Sequence, residues 1–400
     1  MGDTEVLIVG GGPAGSAAGV ALARAGRSVT IVDKATFPRD KCCGDGLTTG
    51  ALRELELLGL DPNTVPSWKV TSDVWLRTPG GWTVSYPLPA GQGQYAAIAE
   101  RQELDHQLLL MAKAEGATIA DGHAVTDVRP RPDVVEVDAE GLGTLHANYV
   151  IAADGMWSPV RKHLGMALEN YRGEWHAFRQ YFSNVGPRAS EDMFIWFEPE
   201  ILPGYLWSFP LPGNRANVGF GIDRRKVSTQ AMKTLWPELL ARPHIAEVLG
   251  PDAESEGTHR AWPIPARVDE ISLTAHRSFF AGDAAAATDV MSGEGIAQAL
   301  WTGRWASEAI LAEPDRPEAA AARYRDRVAQ GLVADHKMSN LLSGVLASPL
   351  GVEFSVRTSG MSHWTRRNFA RWLFEDYPRA QLFTPRRYSR GMFSRDGAYQ

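Results

Sequence analysis

At 400 residues the chain exceeds what one compact core usually holds, so more than one structural unit is expected. Hydrophobic residues at 44% and charged residues at 22% exclude an intrinsically disordered chain, and a net charge of −6 argues against a nucleic-acid binder, which needs a basic face to neutralise phosphates. The two cysteines, Cys42 and Cys43, are neighbours whose Cα atoms sit about 3.8 Å apart, too close for an unstrained disulfide, so a reducing cytoplasm is the expected setting.

The chain starts with acids, Asp3 and Glu5, where a secretory signal needs Lys or Arg. Residues 6–23 are uncharged and long enough to span a bilayer, but Gly10-Gly11-Gly12-Pro13 fits a turn better than a lipid-facing helix. Residues 5–9 instead read as a strand buried on both faces, followed at once by Gly10-x-Gly12-x-x-Gly15. A helix is predicted over 16–25, stopping at Gly26, and a second strand over 28–32, closed by Asp33.

This spacing points to a dinucleotide site. Gly10 permits the tight turn, Gly12 lets backbone N–H groups approach a pyrophosphate, and Gly15 allows the helix to pack closely on the strand. The helix N-terminus offers its positive dipole end to the phosphates. Ala14 and Lys34 stand beside these positions as further cofactor contacts. Asp33, 18 residues after Gly15, is placed to accept hydrogen bonds from a ribose diol. The competing reading is a glycine-rich loop that only packs on its own sheet.

Further along, residues 70–95 and 171–262 hold alternating and aromatic-rich runs that read as an antiparallel sheet. Trp75, Trp82, Trp196, Trp207 and Trp262 either line an apolar tunnel or fill that sheet's core. Arg101, with Leu104-Asp105, opens a helix and either reaches the pyrophosphate or is a surface charge. Residues 148–153 form another apolar strand ending at Asp154-Gly155. Residues 278–281 run into Gly282-Asp283, then Gly293-Glu294-Gly295 and a helix over 296–310 that begins at Ile296. An NAD dehydrogenase has no use for a second acid-tipped strand about 250 residues after the first; FAD does, because its ribityl chain and ring lie far from the adenosine end. Asp283 then accepts from ribityl hydroxyls, and the helix N-terminus faces the N1–C2=O edge.

The tail is predicted to be mainly helical from residue 331 to Pro378. From Met361 on it holds eight Arg, three acids and nine aromatics, a mix suited to anionic lipid or to a solvated closing unit. No Gly-x-Ser-x-Gly elbow, His-Glu-x-x-His, Cys/His metal spacing or P-loop lysine occurs, and His336 beside Asp335 reads as structural.

The order of the glycine fingerprint, Asp154-Gly155 and Gly282-Asp283 resembles the FAD-dependent hydroxylase-type superfamily. Two local motifs are similar to its geranylgeranyl reductase family. One is the loop over residues 37–47, Phe37-Pro38 leading to Cys42-Cys43-Gly44-Asp45-Gly46, in which Cys43 matches the family cysteine. The other is Tyr205-x-Trp207-x-Phe209-Pro210, followed after eight residues by Gly219-x-Gly221, a substrate-domain signature. The similarity spans residues 4 to about 345, and actinobacterial relatives that reduce the menaquinone tail are of this kind. The chain departs from the family at Thr288-Asp289-Val290-Met291-Ser292, where many relatives carry proline, and at Cys42, where proline often precedes the cysteine. The halogenase Trp-x-Trp-x-Ile-Pro signature is absent.

The resemblance implies an α/β fold: a Rossmann-like, hydroxylase-type FAD-binding domain over 1–70, 98–170 and 271–330. An antiparallel-sheet substrate domain over 71–97 and 171–270 is interleaved with it, and 331–400 is a helical C-terminal region. It implies an FAD-dependent reductase of C=C bonds in a prenyl chain or similar apolar substrate, fed by an external donor (NADPH, NADH or ferredoxin), with peripheral membrane contact as an associated expectation. The alternatives are an FAD monooxygenase acting on an aromatic or polyketide-like product, and a flavoprotein that shuttles electrons or lipid without turnover. Cys43 and Gly44 are expected beside the cofactor and Tyr205, Trp207, Gly219 and Gly221 beside the substrate. Cys43 is the expected proton donor and Asp45 keeps it protonated. Cys42 is expected to point elsewhere, because side chains alternate in an extended loop. A small inert thiol is the alternative for Cys43.

Overall fold

A computed structural model describes residues 3–224, 229–388 and 390–400. The strand Thr4–Val9 lies between Val29–Asp33 and Gly143–Ala152, parallel to both. Val6, Leu7, Ile8 and Val9 are all buried, as an interior strand of a sheet covered on both faces requires. Thr118–Asp121 and Ser278–Phe280 extend the parallel set at either side. The run that looked long enough for a bilayer is thus strand, turn and helix, and among the described residues no helix is long and apolar enough to cross a membrane.

The helix Pro13–Arg24 carries proline in its first turn, where the missing N–H costs nothing, and it buries small residues against the long helix Ile296–Ala312. The helices approach so closely that a Cβ on Gly303 would sit 2.0 Å from the Ala14 carbonyl oxygen. The strand expected from residue 148 begins at Gly143. Its first half pairs with the hairpin Val125–Pro130 and Val135–Ala139 and alternates between buried and exposed, so only its second half is a continuous apolar run.

Seven strands form a second sheet, in the order Glu254–Ile264, Trp175–Ser183, Arg215–Asp223, Leu206–Leu211, Met193–Trp196, Asp73–Arg77, Thr83–Pro87. Five of its six pairings are antiparallel. The sixth, Asp73–Arg77 with Met193–Trp196, is parallel, because the chain leaves through the nucleotide-binding segments between those strands and returns by a long crossover. All of Leu206–Leu211 is buried, so it does not alternate. One face packs Phe178 and Phe220 against Trp236 under the helices Thr229–Leu240, which carries that tryptophan, and Pro243–Leu249; the other packs Tyr86, Trp207 and Phe209.

Three C-terminal helices, Ala334–Leu346, Pro349–Ser359 and His363–Leu373, follow. Ser348 caps the second, and Ser362 with Thr365 forms a reciprocal capping box on the third. The last residues turn back into the body. Arg371, 2% exposed, donates to Asp376 and to the carbonyls of Phe393 and Arg395.

Candidate active site

Asp33 ends one parallel strand, and Asp154 and Asp283 follow the ends of two others, so all three lie off the same edge of the sheet, where open α/β sheets bind ligands. A cavity of about 1220 Å³ runs from this edge to the second sheet. Gly10, at φ +105°, has no room for a side chain: a Cβ would sit 2.2 Å from the Ala153 carbonyl oxygen. Gly15 is equally confined, 1.8 Å from the Gly10 carbonyl oxygen, and does not border the cavity. Gly12 does border it, and a Cβ there would meet only Arg39 Nη2, at 3.4 Å, and Asp105 Oδ2, at 4.0 Å.

Ala14, Asp33 and Lys34 line the first part of the cavity. Asp33 Oδ2 accepts the Gly11 N–H at 2.7 Å and Oδ1 the Ala35 N–H at 2.8 Å, which braces the turn. Arg101 lines the middle. At 5% exposure it is no surface charge, and it grips Asp105 through two hydrogen bonds of 2.7 Å. Arg39 reaches the same carboxylate at 2.7 Å. Burial pushes the Asp105 carboxyl up, but the two guanidiniums outweigh it and hold it below its usual range.

Asp154, Gly282 and Asp283 come next, followed by Gly293, Gly295 and Ile296. Burial lifts the Asp154 carboxyl to about 6, and its Oδ1 has no hydrogen-bond partner among the described residues. Asp283 pairs with Lys41 at 2.8 Å, a partner 242 residues away that motif reading does not find. A glycine cradle open only toward the cavity, a buried carboxylate oxygen left unpaired, and fixed cations along the wall fit a dinucleotide of FAD's length.

Cys43, Gly44, Asp45, Tyr205, Trp207 and Gly221 border the far part. Gly219 does not. A Cβ there would sit 2.3 Å from the Phe178 carbonyl oxygen and 2.4 Å from the Trp207 ring, so this glycine seats the tryptophan from behind. Of the five tryptophans singled out, Trp207 and Trp262 line the cavity. Trp75 and Trp196 stack through Phe194 on the other side of the sheet, and Trp82 packs against the C-terminal helices. Trp157 and Trp175 also line it, unannounced by any motif.

Burial is the main force raising the Cys43 thiol, Arg101 opposes it, and Asp45 adds to it; the net result is a protonated thiol. Cys42 does not leave the cavity as alternation suggested. It also borders the space, with its thiol donating to the Arg260 carbonyl at 3.5 Å and burial pushing it up to about 12. Asp45 is fully buried at φ 62°, in the left-handed region, and is locked by Tyr181 Oη at 2.6 Å and Asn217 Nδ2 at 2.8 Å. Burial lifts its carboxyl to about 7 against the pull of Arg179.

The loop after Thr288, which lacks the family proline, is stiffened by hydrogen bonds instead. Asp289 Oδ1 accepts from the N–H groups of Met291 and Ser292 and from Ser292 Oγ, while Tyr205 Oη donates to the Ser292 carbonyl. Glu294 Oε1 accepts the first N–H groups of the next helix, those of Ile296 and Ala297. The C-terminal segment closes over this loop. Arg379 donates to Ser292 Oγ at 3.2 Å, and Glu375 bonds Gln298 Nε2 at 2.7 Å and Thr48 Oγ1 at 2.9 Å. Three buried carboxyls, Asp289, Glu294 and Glu375, thus face Arg379. Burial raises Glu294 to about 7 and Glu375 to about 8; it also pushes Asp289 up, but Arg379 together with the hydrogen bonds from Ser339 and Ser292 outweighs it and holds that carboxyl below its usual range.

Comparison with known proteins agrees with this geometry. Residues 3–301 match the family model described as FAD binding domain. The chain is 34% identical over 359 residues to a menaquinone reductase of Mycolicibacterium smegmatis, covering 85% of this chain and 84% of that one. It is 32% identical over 346 residues to digeranylgeranylglycerophospholipid reductase 1 of Methanopyrus kandleri, covering 81% and 85%. In fold it is similar to the crystal structure of a geranylgeranyl bacteriochlorophyll reductase-like protein from Thermoplasma acidophilum, with a TM-score of 0.80, 20% identity, and coverage of 96% and 99%. Its cofactor is FAD, and the chain belongs to the geranylgeranyl reductase family of FAD-dependent oxidoreductases.

Proposed function

We propose that this enzyme saturates C=C bonds in the prenyl chain of a lipid such as an isoprenoid quinone. The observation that carries the reading is the position of Cys43, at the wall where the nucleotide cleft meets the apolar rings of Trp207 and Phe209; burial there favours the protonated thiol. The relatives' names, menaquinone reductase and digeranylgeranylglycerophospholipid reductase, support the same substrate class.

The loop Gly10 to Gly12, Ala14, Asp33 and Lys34 would hold the adenosine and pyrophosphate end of FAD, with Arg101 and Asp154 beyond. Gly282, Asp283, Gly293, Gly295 and Ile296 would hold the ribityl and ring end. When bound and reduced, FAD supplies the hydride that one alkene carbon accepts. The other carbon needs a proton, and Cys43 holds one. Arg101, close to that thiol, favours the thiolate once the proton has left. Asp45, whose carboxyl is lifted to about 7 and so carries a proton part of the time near neutrality, can restore it. The apolar rings position the alkene and exclude water, which matters because an isolated alkene has no carbonyl to polarise. An external reductant (NADPH, NADH or ferredoxin) restores the cofactor, and a membrane-lipid substrate brings the enzyme to a bilayer surface.

Anaerobic incubation of the holoenzyme with extracted polyprenyl lipids and dithionite tests this. A product heavier by two hydrogens is expected. In a parallel aerobic incubation with NADPH or NADH in place of dithionite, oxygen consumption matched to an oxygenated product would assign a monooxygenase instead, and cofactor reoxidation with no lipid product in either arm would assign an electron carrier.

A further inference from the structure

Of the fourteen large apolar side chains exposed among the described residues, nine lie between residues 341 and 393. Five of these sit on three consecutive helices, and a sixth, Met361, lies two residues before the third. Leu341 and Val345 lie one turn apart on Ala334–Leu346, Leu350 and Phe354 one turn apart on Pro349–Ser359, and Trp364 follows at the start of the third. Leu350 is 82% exposed and Trp364 73%. The opposite faces of these helices are anchored. His336 meets Asp269 at 3.1 Å, Ser339 donates to Asp289, Val352 and Val356 are buried, and Tyr86 Oη bonds the Val356 carbonyl at 2.8 Å. The first two helices therefore form a rigid hairpin with a water-facing apolar crest. Residues 338–352, which include its bend, contain no charged side chain.

Charge separates at the same place. Residues 334–400 hold ten Lys and Arg against five acids, a net +5, leaving 31 against 42, or −11, on the rest of the chain. Lys337 and Arg367 are exposed around the crest, as are Arg386 and Arg390 further on. The strongly basic stretch after Arg367 is not itself the free surface: Arg371 and Arg379 are buried, and Arg387 pairs with Asp335 at 2.8 Å. An exposed apolar crest rimmed by cations, on a chain otherwise acidic, matches an anionic membrane surface in both solvation and sign.

We infer that the hairpin of residues 338–354, with Met361 and Trp364, is a membrane-docking element that inserts its apolar crest among the acyl chains of a bilayer carrying anionic headgroups. This deepens the prenyl-lipid reading of the active site, yet it is tested without turnover, so either can fail alone. The holoenzyme is floated with vesicles of phosphatidylcholine, with and without phosphatidylglycerol. Wild type is expected to float with the anionic vesicles, less at high salt, and poorly with the neutral ones. Leu350→Ser with Phe354→Ser should lower its partition about tenfold or more, since two large side chains no longer leave water. The variant's flavin absorbance and Tm should match wild type. Lys337→Glu with Arg367→Glu should weaken only the anionic arm. Equal flotation by wild type and the serine variant, or no flotation of wild type, overturns the inference. So does a dimer by analytical ultracentrifugation that the serine variant abolishes, which would assign the crest to a second copy.

Discussion

Asn217 donates its side-chain amide to the Asp45 carboxylate and to the Cys43 carbonyl, each at 2.8 Å. One amide from the second sheet therefore positions both members of the proposed proton source. Trp207 Nε1 in turn donates to Asn217 Oδ1 at 3.0 Å, tying the aromatic wall to the same point. Asn217→Leu should leave the fold intact at the level of flavin absorbance. It removes a buried hydrogen-bonding group that serves three partners, so Tm should fall by an amount equivalent to about 2–4 kcal/mol. Turnover should fall with it, and more than flavin reduction by the donor does.

The role of Cys43 predicts a split between half-reactions. General acid assistance is worth about 10²–10⁴ in rate, so Cys43→Ala should lose that order of turnover while flavin content and reduction by the donor persist. Cys42→Ala, although its residue borders the same cavity, should turn over nearly as wild type, because its thiol is spent on the Arg260 carbonyl. Normal turnover by Cys43→Ala would make the thiol structural and water the proton source.

Two glycine variants separate folding from cofactor binding. At Gly12 a side chain begins in ordinary contact with the protein and extends into the cavity, so Gly12→Val should give folded apoprotein without flavin absorbance. At Gly15 a Cβ would lie 1.8 Å from a carbonyl oxygen, so Gly15→Val should fail to accumulate as folded protein at all. A Gly12→Val protein that retains its yellow colour would remove the loop from the cofactor site.

Asp45 should leave a signature in stability against pH. Its folded carboxyl titrates at about 7, raised from 3.8 chiefly by burial, so the native state holds a proton that the unfolded chain has released. Stability therefore falls as pH rises through that interval, by about 1.4 kcal/mol per pH unit, and levels off above it. Asp45→Asn keeps an oxygen for Tyr181 and Asn217 and has no proton to lose. Its Tm should gain on wild type from pH 4 to 7, followed by calorimetry at each pH. Parallel curves across the window would show that the carboxyl titrates normally.

The cluster under the C-terminal segment is asymmetric. Arg379 is the cation that offsets Asp289, so Arg379→Met leaves a buried carboxylate uncompensated and should cost about 3–5 kcal/mol, read as a lowered denaturant midpoint. Glu375 is held neutral near pH 7, so Glu375→Gln should change the midpoint there by less than about 1 kcal/mol. Equal losses in the two variants would contradict this division of charge.

Much of the nucleotide-binding half was legible in the sequence, because its signals are local. Gly10, Gly12 and Gly15 meet backbone demands within a few residues of themselves, and the runs 5–9 and 28–32 are apolar throughout because both faces of their sheet are covered. The acids Asp33, Asp154 and Asp283 could be anticipated at one edge because parallel strands all end on the same side. The motif Tyr205-x-Trp207 announced the aromatic wall, although Gly219, read as part of that wall, turned out to lie behind it.

The tertiary structure alone decided which charges meet and which aromatic rings face the cavity. Lys41 finds Asp283 across 242 residues, Asn217 finds Cys43 across 174, and Glu375 finds Thr48 across 327. A pair of this kind contributes one residue to each of two distant segments and so leaves no period or spacing in either. Trp196 and Trp207 are equally aromatic and both sit in strands, yet opposite faces of one sheet send the first into the core and the second to the cavity. Local sequence sets what a segment can form, because backbone conformation and burial pattern are short-range. Which face looks onto the active site is set by how whole sheets and helices pack, which no short segment contains.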